Sequence, residues 1–386
     1  MGSIALKMLM GDRAKFFGII MGLTFASLLI TQQMAIFIGL MTRTYGFVTD
    51  AQLPDIWVMD PKVQFVDDMK PLQETQLYRA RGVEGIEWAV PMYRGFLRAR
   101  LEDGNFQMCI VNGLDDATLI GGPARMVEGS LEDLRRSEGV IVDAAMAKDK
   151  LSKPPTVPGG PRIPLKVGDT LEINDHRSVV VGMCETSPTL MAQPVIYTTY
   201  TRSLLLAPRE RKLMTFVLVK VKAGQDIREV CRRIETSTGL KARPRAEVED
   251  LTIDYYMKYT GIPVNFGIAV LLGFIVGTAI AGQTFYNFTL ENLRYFGALK
   301  AMGAPDRRLL GMIVLQALLV GFIGYGVGVG LAALFGEATK NTALAFRFPW
   351  ELLGMSAGAV ALICVLSALL CIRKVMKLEP AIVFKG

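Results

Sequence analysis

Four long runs without a charged residue constrain this 386-residue chain more than any other feature. A helix needs about 20 apolar residues to cross the ~30 Å hydrocarbon core of a bilayer, and a charge at its centre costs roughly 2.5–3.5 kcal/mol on insertion scales. The runs that meet this requirement are residues 16–40, 262–290, 309–335 and 352–372. Only 20% of all residues are charged, which argues against a soluble protein. The sequence therefore predicts a multi-pass α-helical membrane protein with four transmembrane helices.

The first run reads as a retained anchor and not as a cleaved signal peptide. Its 25 apolar and uncharged residues exceed the ~7–15 residues typical of a signal-peptide core. The stretch Leu40-Met41-Thr42-Arg43 that follows offers no small-x-small cleavage site.

The net charge of +7 indicates how the spans are oriented. Residues 1–15, 291–308 and 373–386 together carry 11 basic and 4 acidic side chains, so the whole excess lies on these three short segments. Positive charge concentrates on the cytoplasmic side of membrane proteins. Both termini and the loop 291–308 are therefore predicted to be cytoplasmic. The excess charge is explained as an orientation signal, and a nucleic acid partner is not predicted.

Residues 43–258 then form a large extracytoplasmic domain between helices 1 and 2, with 30 basic and 30 acidic side chains. Alternation of apolar residues predicts strands at 55–59, 86–90, 96–101, 106–111, 140–143, 170–173, 177–181, 215–222 and 240–245. Helices are predicted at 72–81, at 144–151 and after the N-cap candidate Asp226. This pattern predicts an α+β domain made of two β-α-β units with an insertion at about 112–210. The remaining segments, 1–42 and 259–386, hold the spans.

The chain shows no pattern for catalysis. It has no G-x-x-x-x-G-K-[ST] loop, so ATP hydrolysis by this chain is not predicted. The lone histidine, His176, has no second histidine with which to form a metal site. We therefore predict a non-enzymatic protein with no catalytic residue, no metal and no cofactor of its own.

Glycines recur at helical spacing in the second and third runs. Small residues four apart let helix backbones approach closely in a membrane. The predicted packing positions are Gly273, Gly277, Gly321, Gly324, Gly326, Gly328 and Gly330. Neighbouring helices within a dimer are one interpretation, and the general abundance of glycine in membrane helices is the other.

The loop after the second run is predicted to form a short amphipathic helix. Leu293, Phe296 and Leu299 give it an apolar stripe, Gly303 is placed to end it, and Pro305 can start the next helix. Such a helix could receive force from a soluble partner. An ordinary polar connection at the lipid headgroups is the alternative.

This loop also carries a family resemblance. Glu291-x-x-Arg294-x-x-Gly297-Ala298-Leu299-Lys300-Ala301-Met302-Gly303-Ala304 resembles the signature of MacB/FtsX-type ABC transporter permeases, the type VII ABC transporters. The tail Leu378-Glu379-Pro380-Ala381 is similar to the closing stretch of the same family. The order of one span, a large domain and three spans also matches, and the chain looks closest to the DevC-like branch. Tyr295-Phe296 departs from the family pattern.

The resemblance implies a protein of a bacterial inner (plasma) membrane that is the permease subunit of an exporter. A separate cytoplasmic ATPase would hold the ATP and magnesium. The coupling loop to that ATPase would comprise Glu291, Arg294, Tyr295, Phe296, Gly297, Leu299, Lys300 and Gly303. A second permease copy, a periplasmic adaptor, an outer-membrane duct and membrane lipids are the further partners that it implies. The expected mechanism is mechanotransmission during efflux of a lipid, lipoprotein, peptide or drug. The alternative is an FtsX-like scaffold that activates a cell-envelope enzyme and exports nothing.

Overall fold

The computed structural model describes residues 2–11, 13–157, 159–208, 213–340, 342 and 344–376. The chain divides into two compact units. The first, which we call the membrane unit, comprises Met1–Leu40 and Gly261–Gly386, and the second, the sheet unit, comprises Met41–Thr260. The tail motif at 378–381 lies outside the described residues.

Six helices contribute to the membrane unit in its described part: α1 (Gly2–Gly11), α2 (Arg13–Asp50), α8 (Ile262–Glu291), α9 (Leu293–Ala301), α10 (Asp306–Ala338) and α11 (Trp350–Met376). Among the described residues, four of these, α2, α8, α10 and α11, are long and apolar enough to cross a membrane. The predicted four-span fold class is thereby confirmed. The short helix α1 was not predicted, and α2 runs ten residues beyond the predicted end of the first span at Leu40.

The membrane unit has one apolar core, to which all six helices contribute. Leu23 of α2, Phe285 of α8, Met312 of α10 and Ile363 of α11 are all buried in it. Leu9 of α1 reaches the same core. The helices therefore pack as one bundle.

The sheet unit contains a mixed sheet and short helices. Its described strands are β1 (Ile56–Met59), β2 (Ile86–Arg100), β3 (Phe106–Leu114), β4 (Arg125–Glu128), β5 (Gly139–Asp143), β6 (Thr170–Ile173), β7 (His176–Glu185), β8 (Val195–Thr199), β9 (Phe216–Val221) and β10 (Lys241–Pro244). Its helices are α3 (Glu74–Arg81), α4 (Ala144–Lys148), α5 (Tyr200–Leu206), α6 (Ile227–Thr238) and α7 (Arg245–Tyr259), and the last turns of α2 join them.

The sheet order is β10-β1-β9-β2-β3-β8-β5-β7-β4, with β6 beside β2 and β7. Strand β1 lies antiparallel between β10 and β9, so that Val58 faces Ala242 on one side and Val217 on the other. Each β-α-β connection therefore skips one strand, which is the split, ferredoxin-like arrangement. The insertion between β2 and β9 continues the same sheet through the β2–β3 pair.

Several local predictions need correction. The strands predicted at 86–90 and 96–101 are one strand, β2, whose first half pairs with β9 and whose second half pairs with β3. Two partner strands in sequence keep its backbone groups hydrogen-bonded over 15 residues. Helix α4 ends at Lys148, three residues early, and Leu151 is buried beyond it.

The two faces of the split β-α-β region carry different helices. Trp57 of β1 points into a cluster with Val48 of α2 and Val248 of α7. Its neighbour Val58 points into the opposite cluster with Leu77 of α3 and Ile234 of α6. The two chain segments that connect the sheet unit to the spans, the end of α2 and α7, thus cover the same face.

Candidate functional site

The predicted amphipathic loop helix is α9, and its apolar stripe is buried in the membrane unit. Asn292 separates α9 from α8, and its side-chain amide donates to the Phe288 carbonyl at 2.8 Å. Phe296 and Leu299 are buried in the bundle core with Leu309 and Met312 of α10. Helix α9 therefore contacts α10 through its own side chains.

The turn from α9 to α10 is closed by a glycine and an ion pair. Gly303 has a φ of +89°, in the left-handed region that glycine adopts at low cost. The Ala304 amide donates to the Leu299 carbonyl at 3.0 Å, and Lys300 Nζ lies 3.0 Å from Asp306 Oδ1. The spacing between the two helices is thereby fixed.

The charged residues predicted to form the coupling loop have different roles in the structure. Glu291 pairs with Lys15 of α2, and Lys300 pairs with Asp306, so both side chains are engaged within the membrane unit. Arg294 is exposed and makes no ion pair with the described residues. The Glu291 side chain is nonetheless 62% exposed, and Arg294 is the one of the three charged residues without an ion-pair partner among the described residues.

The outer face of α9 presents an apolar stripe. Tyr295 is 63% exposed and Met302 is 75% exposed, and exposed Ala298 lies between them at helical spacing. We call Arg294, Tyr295, Ala298 and Met302 the α9 surface. Gly297 is buried on the inner side with Phe296.

Helix α1 is an element of this region that sequence reasoning missed. Its Ala5 and Leu9 are buried in the bundle core, and Gln316 Nε2 of α10 donates to the Ala5 carbonyl at 2.7 Å. Leu6 and Met10 are exposed on its other side. The apolar residues at 5, 6, 9 and 10 give the 3–4 residue spacing that could have predicted a helix.

Five of the seven predicted packing glycines lie against neighbouring helices of the same chain. A Cβ on Gly277 would come within 2.3 Å of Ala26 Cβ, and one on Gly321 within 2.5 Å of Cys364 Sγ. Gly273 faces Leu29, while Gly324 and Gly328 of α10 face Leu23 and Ser27 of α2. A Cβ at Gly326 or Gly330 would meet no described atom within 4 Å.

Two further glycines, Gly39 and Gly336, pack closely against the segment before α11. A Cβ on Gly39 of α2 would come within 2.8 Å of the Ala345 backbone, and one on Gly336 of α10 within 2.3 Å of the Phe346 ring. The Arg347 amide donates to the Ala35 carbonyl at 3.1 Å. Neither glycine was predicted as a packing residue.

The sheet unit contains a buried charge cluster around Arg94 of β2. Its side chain is 2% exposed, with Nε and Nη2 donating to Asp67 Oδ1 at 3.0 and 2.7 Å and Nη1 donating to Asn112 Oδ1 at 2.8 Å. Its guanidinium carbon lies 3.9 Å from the centroid of the Phe47 ring of α2. Arg94 thus joins the 60–68 loop, β3 and the end of α2.

The three cysteines of the sheet unit are buried free thiols. Burial raises the pKa of Cys109 and of Cys231 to about 12, and it raises the pKa of Cys184 as well. A thiolate that forms only near pH 12 represents roughly 1 in 10⁴ molecules at pH 8, against about a quarter for an ordinary cysteine.

We therefore expect iodoacetamide at pH 8 to leave Cys109, Cys184 and Cys231 unmodified in the folded protein. The rate should rise about tenfold per pH unit, because the thiolate fraction does so below the pKa. Site-resolved mass spectrometry measures the modification, and the same protein unfolded in denaturant gives the full rate. Modification of the folded protein at the unfolded rate would contradict the burial of these thiols.

Family models match most of the chain. Residues 16–237 match the MacB-like periplasmic core domain, which is more than half of the sequence. Residues 262–380 match the FtsX-like permease C-terminal region. The chain belongs to the MacB/FtsX-type ABC transporter permease family. Its predicted resemblance to that family is confirmed.

The family members of similar sequence include mycobacterial and archaeal proteins. An uncharacterized ABC transporter permease of Mycobacterium tuberculosis (strain ATCC 25618 / H37Rv) is 28% identical over 235 residues, covering 61% of this chain and 63% of that protein. A second, from Methanocaldococcus jannaschii, is 26% identical over 234 residues, or 58% of each chain. The match thus spans less than two thirds of the length of these relatives.

The chain also has distant similarity to solved structures. The extracellular domain of the noncanonical ABC-type transporter YknZ from Gram-positive bacteria shares 12% identity at a TM-score of 0.35, covering 50% of this chain and 99% of that domain. The periplasmic region of MacB from Actinobacillus actinomycetemcomitans shares 10% identity at a TM-score of 0.38, covering 52% and 92%. Both scores are low, so the family assignment depends on the family models.

The α9 surface and the Arg94 cluster fall in different family models of this MacB/FtsX-type chain. The FtsX-like region contains α9 and its surface, and the MacB-like region contains Arg94 and its partners. The sequence could predict the amphipathic helix from its apolar spacing. It gave no signal for the Arg94 cluster, because Asp67, Arg94 and Asn112 are far apart along the chain.

Proposed function

We propose that this chain is the membrane-spanning subunit of an ABC transporter that converts ATP hydrolysis by a separate cytoplasmic ATPase into movement of its sheet unit. The α9 surface carries this proposal. One side of α9 is buried in the bundle, and the other presents Arg294, Tyr295 and Met302 to solvent. Arginine and tyrosine are enriched in the residues that dominate protein–protein binding energy.

The charge distribution supports a cytoplasmic position for the α9 surface. Arg294, Arg307 and Arg308 are exposed around α9 and the start of α10. Short segments rich in lysine and arginine remain on the cytoplasmic side. Exposed Leu6 and Met10 of α1 would lie on that same side. In this orientation the sheet unit is extracytoplasmic.

The packing of α9 supports transmission of force. Phe296 and Leu299 share a buried core with Phe288 of α8 and with Leu309 of α10. Because a close-packed core transmits strain, displacement of α9 would displace both helices. The apolar run 262–290 contains no charged residue and offers no polar path for a solute. Helices α2 and α8 lead along the chain to the sheet unit.

The further partners follow from this function. ATP and magnesium would be held by the ATPase, and a second copy of the chain would complete the membrane part. A periplasmic adaptor and an outer-membrane duct would extend the path where an outer membrane exists. The cargo would be a lipid, lipoprotein, peptide or drug that enters from the membrane or the periplasm.

The test is the double substitution Tyr295→Ala with Met302→Ala in the full chain. We expect binding of the ATPase to weaken by at least about 30-fold, since one such contact residue contributes about 2 kcal/mol or more. Co-purification of the ATPase and its stimulated ATP hydrolysis are measured with the permease in detergent or nanodiscs. The ATPase used is the ABC ATPase subunit that co-purifies with the unsubstituted chain.

The matched control is Lys340→Ala, an exposed substitution at the opposite end of α10. It should leave both ATPase binding and stimulation unchanged. Unchanged ATPase stimulation in the double variant would exclude the α9 surface as the coupling element.

A further inference from the structure

Four aromatic side chains form one cluster at the end of α7. Tyr255, Tyr256 and Tyr259 lie on its last two turns, and the ring of Phe65 from the 60–68 loop stacks on Tyr255 with centroids 4.3 Å apart. The Tyr255 ring also contacts Tyr259 at a centroid distance of 5.4 Å. We call these four residues the aromatic patch.

The chain places this patch close to the membrane. Tyr259 precedes Ile262, the first residue of a charge-free run and of helix α8, by three residues. Three residues span at most about 11 Å, and the interfacial layer beside the hydrocarbon core is about 5–7 Å thick. With the hydrocarbon core beginning at Ile262, Tyr259 lies in the headgroup layer or directly beside it, whichever side of the membrane the sheet unit occupies.

The patch is exposed at Tyr259, while Phe65, Tyr255 and Tyr256 are half-buried. Tyr259 is 74% exposed, and Met257 on the same turn is also exposed. Lys258 is exposed, and its ion-pair partner among the described residues is Asp254 one turn earlier, at 2.8 Å. Tyrosine is enriched at membrane–water interfaces because its ring is apolar while its hydroxyl can be solvated. A lysine side chain near the interface extends its ammonium group towards the lipid headgroups.

Contacts within the sheet unit connect the patch to its core. The Val66 amide donates to Thr252 Oγ1 of α7 at 3.2 Å, which holds the 60–68 loop on α7. Asp67 of the same loop accepts two hydrogen bonds from Arg94. Burial and the nearby Asp67 raise the pKa of Tyr256 to about 12, so its hydroxyl remains a donor at physiological pH.

We propose that the aromatic patch binds phospholipid at the boundary between headgroups and acyl chains of the leaflet that adjoins the sheet unit. The rings of Tyr259 and Tyr255 lie along the acyl boundary, and tyrosine hydroxyls donate to ester or phosphate oxygens. Through Asp67 and Arg94, this contact fixes the 60–68 loop and β2 relative to the membrane surface. The binding does not depend on an ATPase partner.

The experiment measures the surroundings of a nitroxide spin label at Tyr259→Cys in the full chain, reconstituted in phosphatidylcholine–phosphatidylglycerol vesicles. Tyr78→Cys is the matched control, because Tyr78 is a 64% exposed tyrosine of α3 on the opposite face of the sheet. The unmodified chain, whose five cysteines are buried, provides the background signal.

We expect collisions with a water-soluble nickel chelate to be at least threefold fewer at position 259 than at position 78, and collisions with oxygen to be more frequent. Tyr255→Cys, one turn earlier on the same face of α7, should give the same difference, which keeps the test valid if the label at position 259 perturbs the helix. Equal nickel collisions at positions 259 and 78 would overturn the proposal. Protection from both oxygen and nickel would also overturn it, because it would mean that protein covers the patch.

Discussion

Replacing Arg94 by alanine is expected to lower the free energy of unfolding of the sheet unit by about 3–5 kcal/mol, the range for breaking a buried ion pair. The substitution removes three hydrogen bonds, two to Asp67 and one to Asn112, together with the contact to the Phe47 ring. Asp67 and Asn112 would then lack their partner in a region that water reaches poorly. The loss is a large fraction of the stability of an average domain.

Denaturant unfolding followed by Trp57 fluorescence measures this loss. Trp57 is buried in the same cluster, with its ring 5.6 Å from Phe47, so it reports on the affected region. Replacement of Trp88 and Trp350 by phenylalanine in all variants isolates the Trp57 signal.

The matched control is Arg100→Ala on the same strand. Arg100 is exposed and its pair with Glu172 spans 3.7 Å, so its removal should cost less than about 1 kcal/mol. Arg94→Lys should fall between the two, because one ammonium group cannot reproduce the forked contact with Asp67 and Asn112. Equal losses for Arg94→Ala and Arg100→Ala would show that the buried cluster does not stabilise the unit.

Gly328→Ala is expected to destabilise the membrane unit by about 1–3 kcal/mol, the usual cost of adding atoms to a close-packed site. The new Cβ would come within 2.6 Å of Ser27 Cβ and 2.7 Å of the Thr24 carbonyl oxygen of α2. The Thr24 carbonyl belongs to the backbone of α2 and cannot rotate away as a flexible side chain could. Helices α2 and α10 would therefore have to move apart. Thermal or SDS-induced unfolding of the detergent-solubilised chain measures the change.

The same helix supplies the control. A Cβ at Gly326 meets no described atom within 4 Å, so Gly326→Ala should be neutral or gain up to about 1 kcal/mol from the higher helix propensity of alanine. Because alanine replaces glycine in both variants, the comparison isolates the contact with α2. A loss at Gly326 as large as that at Gly328 would contradict the packing described for α10.

Local sequence patterns predicted much of the fold. The spans follow from charge-free runs, and strand β9 with helix α6 follows from apolar spacing and the N-cap Asp226, which accepts from the Arg228 amide at 2.9 Å. The prediction failed where neighbours decide the structure. Strand β2 is continuous because β9 pairs with its first part and β3 with its second part. The local sequence around residues 91–95 does not contain either partner strand, so it could not predict this pairing.

The sequence by itself determined the four spans, the α+β character of residues 43–258, the amphipathic helix α9 and the family resemblance, because each depends on residues close together in the chain. Only the tertiary structure decided which side of each helix or strand packs against another part of the chain. It separates Gly328, which touches α2, from Gly326, which does not. It also directs Glu291 to Lys15 and leaves Arg294 exposed. The physical reason is that burial and ion pairing depend on distances between segments far apart in sequence, which helical or strand periodicity does not encode.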